Sequence, residues 1–131
     1  MKTILDEIAE KTRRRIEEKK KEVPLEALKE KIASQTYKKQ PYLFEKRLAA
    51  RGLSFICEVK KASPSKGVIS EKFLYKETAA AYEKAGAAAI SCLTEPYYFM
   101  GSDKYLEEIA QLVSIPVLRK DFTIDSYMIY E

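Results

Sequence analysis

The sequence contains no histidine, and that absence removes several classes of chemistry at once. A His-based catalytic triad and histidine metal ligands are excluded within these 131 residues. The two cysteines, Cys57 and Cys92, lie inside apolar runs with no CxxC spacing. They read as free buried thiols of a reducing compartment, with a disulfide as the minor alternative. No apolar run approaches the roughly 18 residues that a membrane helix needs, and the N-terminus has no hydrophobic signal region. A cytoplasmic protein with no membrane association is expected. No glycine-rich nucleotide loop is present either: Lys61-Ala-Ser-Pro-Ser-Lys-Gly67, after the first strand-like segment, is neither GxGxxG nor a P-loop. This argues against Rossmann and P-loop domains.

What is present is ample apolar content, 46%, which suits a packed core and makes wholesale disorder a poor description. The net charge of +4 is unevenly spread. Residues 1–51 hold 15 Lys/Arg against 9 Asp/Glu, and residues 52–131 hold 9 against 11. A basic segment can serve nucleic acid. Here acidic residues are interleaved throughout it, which favours a solvated helix surface, and no nucleic-acid partner is expected.

Periodicity divides the chain into two textures. Residues 3–22 read as an amphipathic helix, with Ile4, Ile8, Thr12 and Ile16 repeating every four positions beside Leu5 and Ala9. Glu7–Lys11, Glu10–Arg14 and Glu17–Lys21 add i,i+4 pairs worth a few tenths of a kcal/mol each, roughly. Val23-Pro24 ends that helix, and Pro24 can open the next, whose apolar face is Leu25, Leu28 and Ile32. Residues 34–42 read as loop, and 43–50 as a third short helix closed by Gly52.

From Leu53 strands and helices alternate. Residues 53–60, 88–93 and 115–120 read as strands, and 73–85 and 103–112 as helices. Residues 63–67 and 94–101 read as loops, with Ser102 as an N-cap and Asp125 as a second possible cap. This order gives βαβ units and a parallel sheet. Ala87-Ala-Ala-Ile-Ser-Cys-Leu93 is apolar on both parities, as a strand covered on both faces would be. The expected architecture is α/β: a helical extension over 1–52, then about three βα units of a (β/α)8 barrel over 53–131.

Strand parity selects the residues with chemistry. In the first strand Ile56, Glu58 and Lys60 share one face, and Phe55, Cys57 and Val59 the other. The first set places a carboxylate and an ammonium at the C-terminal end, the catalytic rim of a barrel. A salt bridge that merely fills the mouth is the plainer alternative. In the third strand Leu118, Lys120 and Phe122 share a parity, so Lys120 can enter the same mouth. A lysine in apolar surroundings beside a second cation suits a general acid. Arg119, on the opposite parity, reads as a rim residue that snorkels or pairs, and Asp121 as a structural acceptor for loop N–H groups.

Three motifs in order then carry a resemblance. Glu58-Val-Lys-Lys-Ala-Ser-Pro-Ser-Lys-Gly67 is similar to the E-x-K-x-x-S-P-S pattern in the first βα loop of indole-3-glycerol phosphate synthases. Ala89-Ile-Ser-Cys-Leu-Thr-Glu95 with Tyr98-Phe-x-Gly-Ser102, and Leu118-Arg-Lys-Asp-Phe122 with Ile124-Asp125, resemble that family's second and third strands. The related isomerase of the same pathway lacks the helical extension and the S-P-S loop. The resemblance implies a carboxy-lyase of tryptophan biosynthesis that closes the indole ring of 1-(o-carboxyphenylamino)-1-deoxyribulose 5-phosphate with loss of CO2 and water, using no metal or organic cofactor. By it, Lys120 matches the general acid, Lys60 a cation at the substrate's charged groups, and Glu58 a catalytic carboxylate. Ser63 matches a ligand contact near the phosphate. Phe99 and Phe122 match walls of the substrate pocket, a plain core role being the equal alternative for both. The family draws further site residues from later strands that these 131 residues do not contain. The expectation is therefore a fragment, inactive alone, that stops before the barrel closes. The other reading is a non-catalytic half-barrel module that self-associates or complements a C-terminal half.

Overall fold

The computed structural model describes residues 1–36 and 39–131. They form six helices, α1 (Ile4–Glu22), α2 (Leu25–Ser34), α3 (Leu43–Leu48), α4 (Tyr75–Lys84), α5 (Asp103–Leu112) and α6 (Tyr127–Tyr130), and five strands, β1 (Ile56–Val59), β2 (Ala62–Ser63), β3 (Gly67–Val68), β4 (Ala89–Leu93) and β5 (Val117–Lys120). The loop expected over 34–42 includes positions 37 and 38, which lie outside the described residues. Two compact units result, Met1–Tyr37 with Phe122–Glu131, and Lys38–Asp121. Among the described residues no helix is long and apolar enough to cross a membrane.

In the first unit α1 begins at a capping box. The Thr3 hydroxyl accepts from the Asp6 N–H, and the Asp6 carboxylate accepts from the Thr3 N–H at 2.7 Å. The helix ends at Val23, before Pro24. Its predicted stripe is buried at Ile8, Thr12 and Ile16, while Ile4 and Leu5 stay exposed near the N-terminus. Glu10–Arg14 forms as expected, at 2.5 Å. Ile16 packs with Tyr127 and Met128 of α6, and Leu25 and Leu28 of α2 close this small core. The Tyr127 hydroxyl donates to the Val23 carbonyl at 2.8 Å, where the last turn of α1 leaves acceptors unused. Lys20 pairs with Asp125 at 2.6 Å, and Lys19 with Glu131. A four-residue helix has little stability of its own, so these contacts hold α6 in place. The N-cap position of α6 is Ser126 and not Asp125; Asp125, one residue earlier, accepts from the Tyr127 N–H at 2.8 Å.

The second unit contains a three-stranded parallel sheet in the order β1-β4-β5. In register, Glu58 lies beside Ser91, and Ser91 beside Leu118. All five residues of β4 are buried. Ile90 and Cys92 face the helix layer with Val59, Ala79, Ile109, Val113 and Ile115. Burial of Ile90, which is 0% exposed, is worth about 1.5–3 kcal/mol. Both cysteines are free, and burial pushes the Cys92 thiol up to about 12, an inert core position.

Several boundaries differ from the sequence reading: α4 spans Tyr75–Lys84 where 73–85 was expected, β4 starts at Ala89 where 88 was expected, and β5 starts at Val117 where 115 was expected. The first strand starts at Ile56, because β4 begins at Ala89 and offers nothing to pair with earlier. Leu53 and Phe55 are exposed, though the Phe55 carbonyl still accepts from the Ala88 N–H at 2.9 Å. The segment expected to be plain loop after β1 folds into a short antiparallel hairpin, β2 with β3. Its turn closes at Gly67, whose φ of +64° suits glycine. The third helix ends two residues early, at Leu48, and Gly52 has the expected positive φ, +100°.

Glu83, at the end of α4, ties that helix to the approach to β5. Its carboxylate accepts from the Ser114 hydroxyl and N–H, both at 2.7 Å, and from the Ile115 N–H at 3.2 Å. These bonds, the Ser114 hydroxyl first, hold its carboxyl below the usual value of 4.5. The contribution is therefore complete above the unfolded value and lost as pH falls through the lower, folded one. Glu83→Gln is expected to lower stability by about 1 kcal/mol at pH 7, allowing for solvent screening. In chemical denaturation the gap from wild type should narrow as pH is taken below 4.5; a gap constant from pH 7 to pH 3 would contradict this.

Candidate active site

The alternation of β1, β4 and β5 gives the sheet two different faces. Cys57, Val59, Ile90, Cys92 and Val117 lie against helices α4 and α5. The intervening positions, Glu58, Ser91, Leu118 and Lys120, therefore share the opposite face. Lys60 follows β1 directly and returns to this face beside Glu58.

Here the three charged residues selected from the sequence meet. Glu58 Oε1 lies 2.7 Å from Lys60 Nζ, and Oε2 lies 3.6 Å from Lys120 Nζ. One carboxylate thus stands between two ammonium groups. The side chains are 30%, 32% and 52% exposed for Glu58, Lys60 and Lys120, so the cluster is open to a ligand. Lys120 is not in the enclosed apolar setting expected from its neighbours; its charged partner is the Glu58 carboxylate. Ser91 is buried on the same face, and its Oγ has no hydrogen-bond partner among the described residues. A buried hydroxyl in that state costs about 1–3 kcal/mol.

Ser63 lies in β2, beyond β1. Its hydroxyl accepts from the Lys66 N–H at 3.3 Å and lies 3.5 Å from the Ser65 hydroxyl. It organises its own loop and leaves the loop's outer surface open. Phe99 is half-buried in the loop between β4 and α5. Phe122 is half-buried too, but follows the end of β5 and belongs to the first compact unit.

That loop has an organiser the sequence reading passed over. Glu95 is 0% exposed and its carboxylate accepts from three successive backbone N–H groups, Tyr97 at 3.0 Å, Tyr98 at 2.7 Å and Phe99 at 3.0 Å. The Gly101 N–H donates back to the Glu95 carbonyl at 2.8 Å. A Cβ at Gly101 would stand 2.5 Å from the Leu93 carbonyl oxygen, so the chain closes on itself only with glycine there. Glu95 is thus an acceptor for loop N–H groups, the role expected of Asp121. Asp121 accepts from the Thr94 hydroxyl at 2.7 Å. Arg119 pairs, as its parity predicted: Nε donates to Thr94 Oγ1 at 3.1 Å and a terminal nitrogen to Asp103 at 3.2 Å. This network joins the ends of β4 and β5 to the start of α5, where Ser102 caps as predicted, accepting from the Lys104 N–H at 3.2 Å. A carboxylate inside a tight loop can be suspected from Thr94-Glu-Pro96, but the sequence alone does not tell it from a solvated one. Among the described residues no three His, Cys, Asp or Glu side chains gather as a metal site.

Comparison with known proteins decides the family. The family model described as indole-3-glycerol phosphate synthase matches residues 5–131. The chain belongs to the indole-3-glycerol phosphate synthase family. It is 58% identical over 128 residues to the indole-3-glycerol phosphate synthase of Ruminiclostridium cellulolyticum, 56% to that of Endomicrobium trichonymphae and 42% over 138 residues to that of Lachnoclostridium phytofermentans. Each alignment covers 98% of this chain and 49%, 49% and 51% of the relative. The chain thus spans about half the length of the curated relatives it matches. The parallel sheet with its helices is accordingly part of a (β/α)8 barrel.

Within this family segment Glu95 makes a testable demand on the loop that carries Phe99. Glu95→Ala would leave three loop N–H groups without their acceptor, at a cost of about 3 kcal/mol. Urea denaturation of the variant should show that loss, and a change under 0.5 kcal/mol, roughly the size of a surface substitution, would remove Glu95 as the loop's organiser.

Proposed function

We propose that this sequence carries part of the active centre of an indole-3-glycerol phosphate synthase. The proposed reaction closes the indole ring of 1-(o-carboxyphenylamino)-1-deoxyribulose 5-phosphate, with loss of CO2 and water. The observation that carries the reading is the Glu58 carboxylate set between Lys60 and Lys120 on one sheet face. Ring closure joins an aromatic carbon to a ketone, and the ketone oxygen gathers negative charge as the bond forms. An ammonium that delivers a proton there lowers the barrier, and Lys120 is assigned this step. Lys60 is assigned to the substrate's anionic groups, where a fixed cation holds a carboxylate or assists departure of water. Glu58 orients the two lysines or moves a proton between steps. Ser63 is assigned to the phosphate end of the ligand, and Phe99 and Phe122 to the walls around its aromatic ring. In this reading residues 1–52 are a helical extension and 53–131 the first βα units of the barrel, in a cytoplasmic enzyme.

The test uses the full-length enzyme containing this sequence. Lys120→Ala is expected to lower kcat by roughly 10²–10⁴-fold, the usual cost of losing a general acid, with the thermal midpoint near that of the wild type. Formation of the indole product, followed by its fluorescence, reads the rate. Near-normal turnover would take Lys120 out of the chemistry.

A second reading concerns the 131-residue polypeptide by itself, which we propose is inactive and self-associates or recruits a complementary C-terminal half. Among the described residues β1 and β5 each pair with one strand only, and Ile56 and Leu118 are 45% and 41% exposed. Unpaired strand edges and uncovered apolar side chains both favour association. Light scattering at micromolar concentration should give a mass above the 15.1 kDa of one chain. A compact, non-aggregating monomer would overturn this.

A further inference from the structure

The inner face of the sheet holds an unused hydrogen-bond donor beside an unused acceptor. Ser91 lies in the middle strand, 4% exposed, with its Oγ buried and unpartnered among the described residues. Its neighbours on either side along the chain, Ile90 and Cys92, face the helix layer, so Ser91 faces the other way. Across the parallel pair its register partner is Glu58. One oxygen of that carboxylate, Oε1, is held by Lys60 at 2.7 Å. The other, Oε2, has Lys120 at 3.6 Å, a charge contact longer than a hydrogen bond. A carboxylate can accept about four hydrogen bonds, so Glu58 has capacity in hand.

We propose that Ser91 is a positioning residue for Glu58, donating its hydroxyl proton in a hydrogen bond to the carboxylate when a bound ligand draws a lysine away. An anionic ligand competes with Glu58 for Lys60 and Lys120. As either lysine turns to the ligand, the carboxylate loses a partner in a site that the ligand is closing to water. The Ser91 hydroxyl replaces that partner from the neighbouring strand and keeps Glu58 from following the lysine. A rigid strand is a better platform for this than a loop, because its register sets Ser91 directly beside Glu58. Buried polar groups as a rule find partners, and Ser91 finds one here only in the occupied site.

The inference rests on the enzymatic reading of Glu58, and the experiment separates the two. Ser91→Ala, Ser91→Cys and Ser91→Thr are made in the full-length enzyme, and kcat, KM and the thermal midpoint are measured with the phosphorylated anilino-ribulose substrate. Alanine and cysteine remove the oxygen donor, and cysteine keeps the size; threonine keeps the hydroxyl. The expected result is kcat lowered about tenfold in Ser91→Ala and Ser91→Cys, one hydrogen bond in the transition state, with KM within about twofold. Their thermal midpoints should equal or exceed that of the wild type, since the removed hydroxyl has no partner in the empty site. Ser91→Thr should recover most of the lost kcat. An unchanged kcat in Ser91→Ala overturns the proposal and leaves the enzymatic reading intact. So does a rise in KM alone, which would make Ser91 a ligand contact, or a loss that follows a fall in thermal midpoint. A wild-type enzyme that does not close the indole ring overturns both.

Discussion

The second unit depends on β4, the one strand of its parallel sheet that pairs on both sides and is buried along its whole length. Its backbone fixes the register of β1 through Ile56–Ala89 and Val59–Cys92, and of β5 through Ile90–Val117 and Leu93–Lys120. Its side chains divide the work. Ile90 and Cys92 anchor the helix layer, where the apolar area buried supplies the stability. The remaining face carries Glu58, Lys60 and Lys120. A one-residue slip of β1 against β4 would send Cys57 and Val59 to the ligand side and Glu58 into the core. The apolar contacts of Cys57, Val59 and Val117 against α4 and α5 therefore hold Glu58 and Lys120 where they meet, from the opposite face of the sheet.

Much of this site could be read from parity alone. Glu58, Lys60 and Lys120 carry charge at strand ends, and period-two alternation puts them on one face whatever the details of packing. The same alternation sent Arg119 away from them, to Thr94 and Asp103. Helix ends were legible where one residue type decides them, as with Val23-Pro24 and Ser102. What parity does not convey is the partner of a carboxylate in a loop. Glu95 and Asp121 sit in similar sequence surroundings, just past a strand. Only the path of the chain between Glu95 and Gly101 shows that three N–H groups point at the first. The β2–β3 hairpin escaped notice for a related reason. Each of its strands is two residues long, too short to show a period.

The lysine environment shows the difference between composition and geometry. Leu118 and Phe122, on either side of Lys120 in parity, suggested an apolar, cation-rich pocket. Instead Phe122 leaves the strand and joins the unit formed with the N-terminal helices, and the Glu58 carboxylate sits between the two ammonium groups. Two cations repel each other at short range, and the carboxylate between them offsets that repulsion. That arrangement has a consequence for any anionic ligand. It gains the attraction of two lysines, but it must also meet the repulsion of Glu58 or displace it. On the proposed reading, binding and movement of Glu58 are therefore coupled.

The loops above the sheet use the same economy of charge. Asp121, Arg119 and Asp103 join β5 to α5 through Thr94, so the one guanidinium of this rim network is held between two carboxylates. Glu95 spends its carboxylate on backbone N–H groups, fixing the loop that presents Phe99. Charges committed in this way cannot follow a ligand. Glu58, Lys60 and Lys120 are held by one another instead, in a partly exposed cluster. Their contacts can be exchanged for contacts to a ligand without loss of fold, because the packing that positions their strands lies on the other face of the sheet.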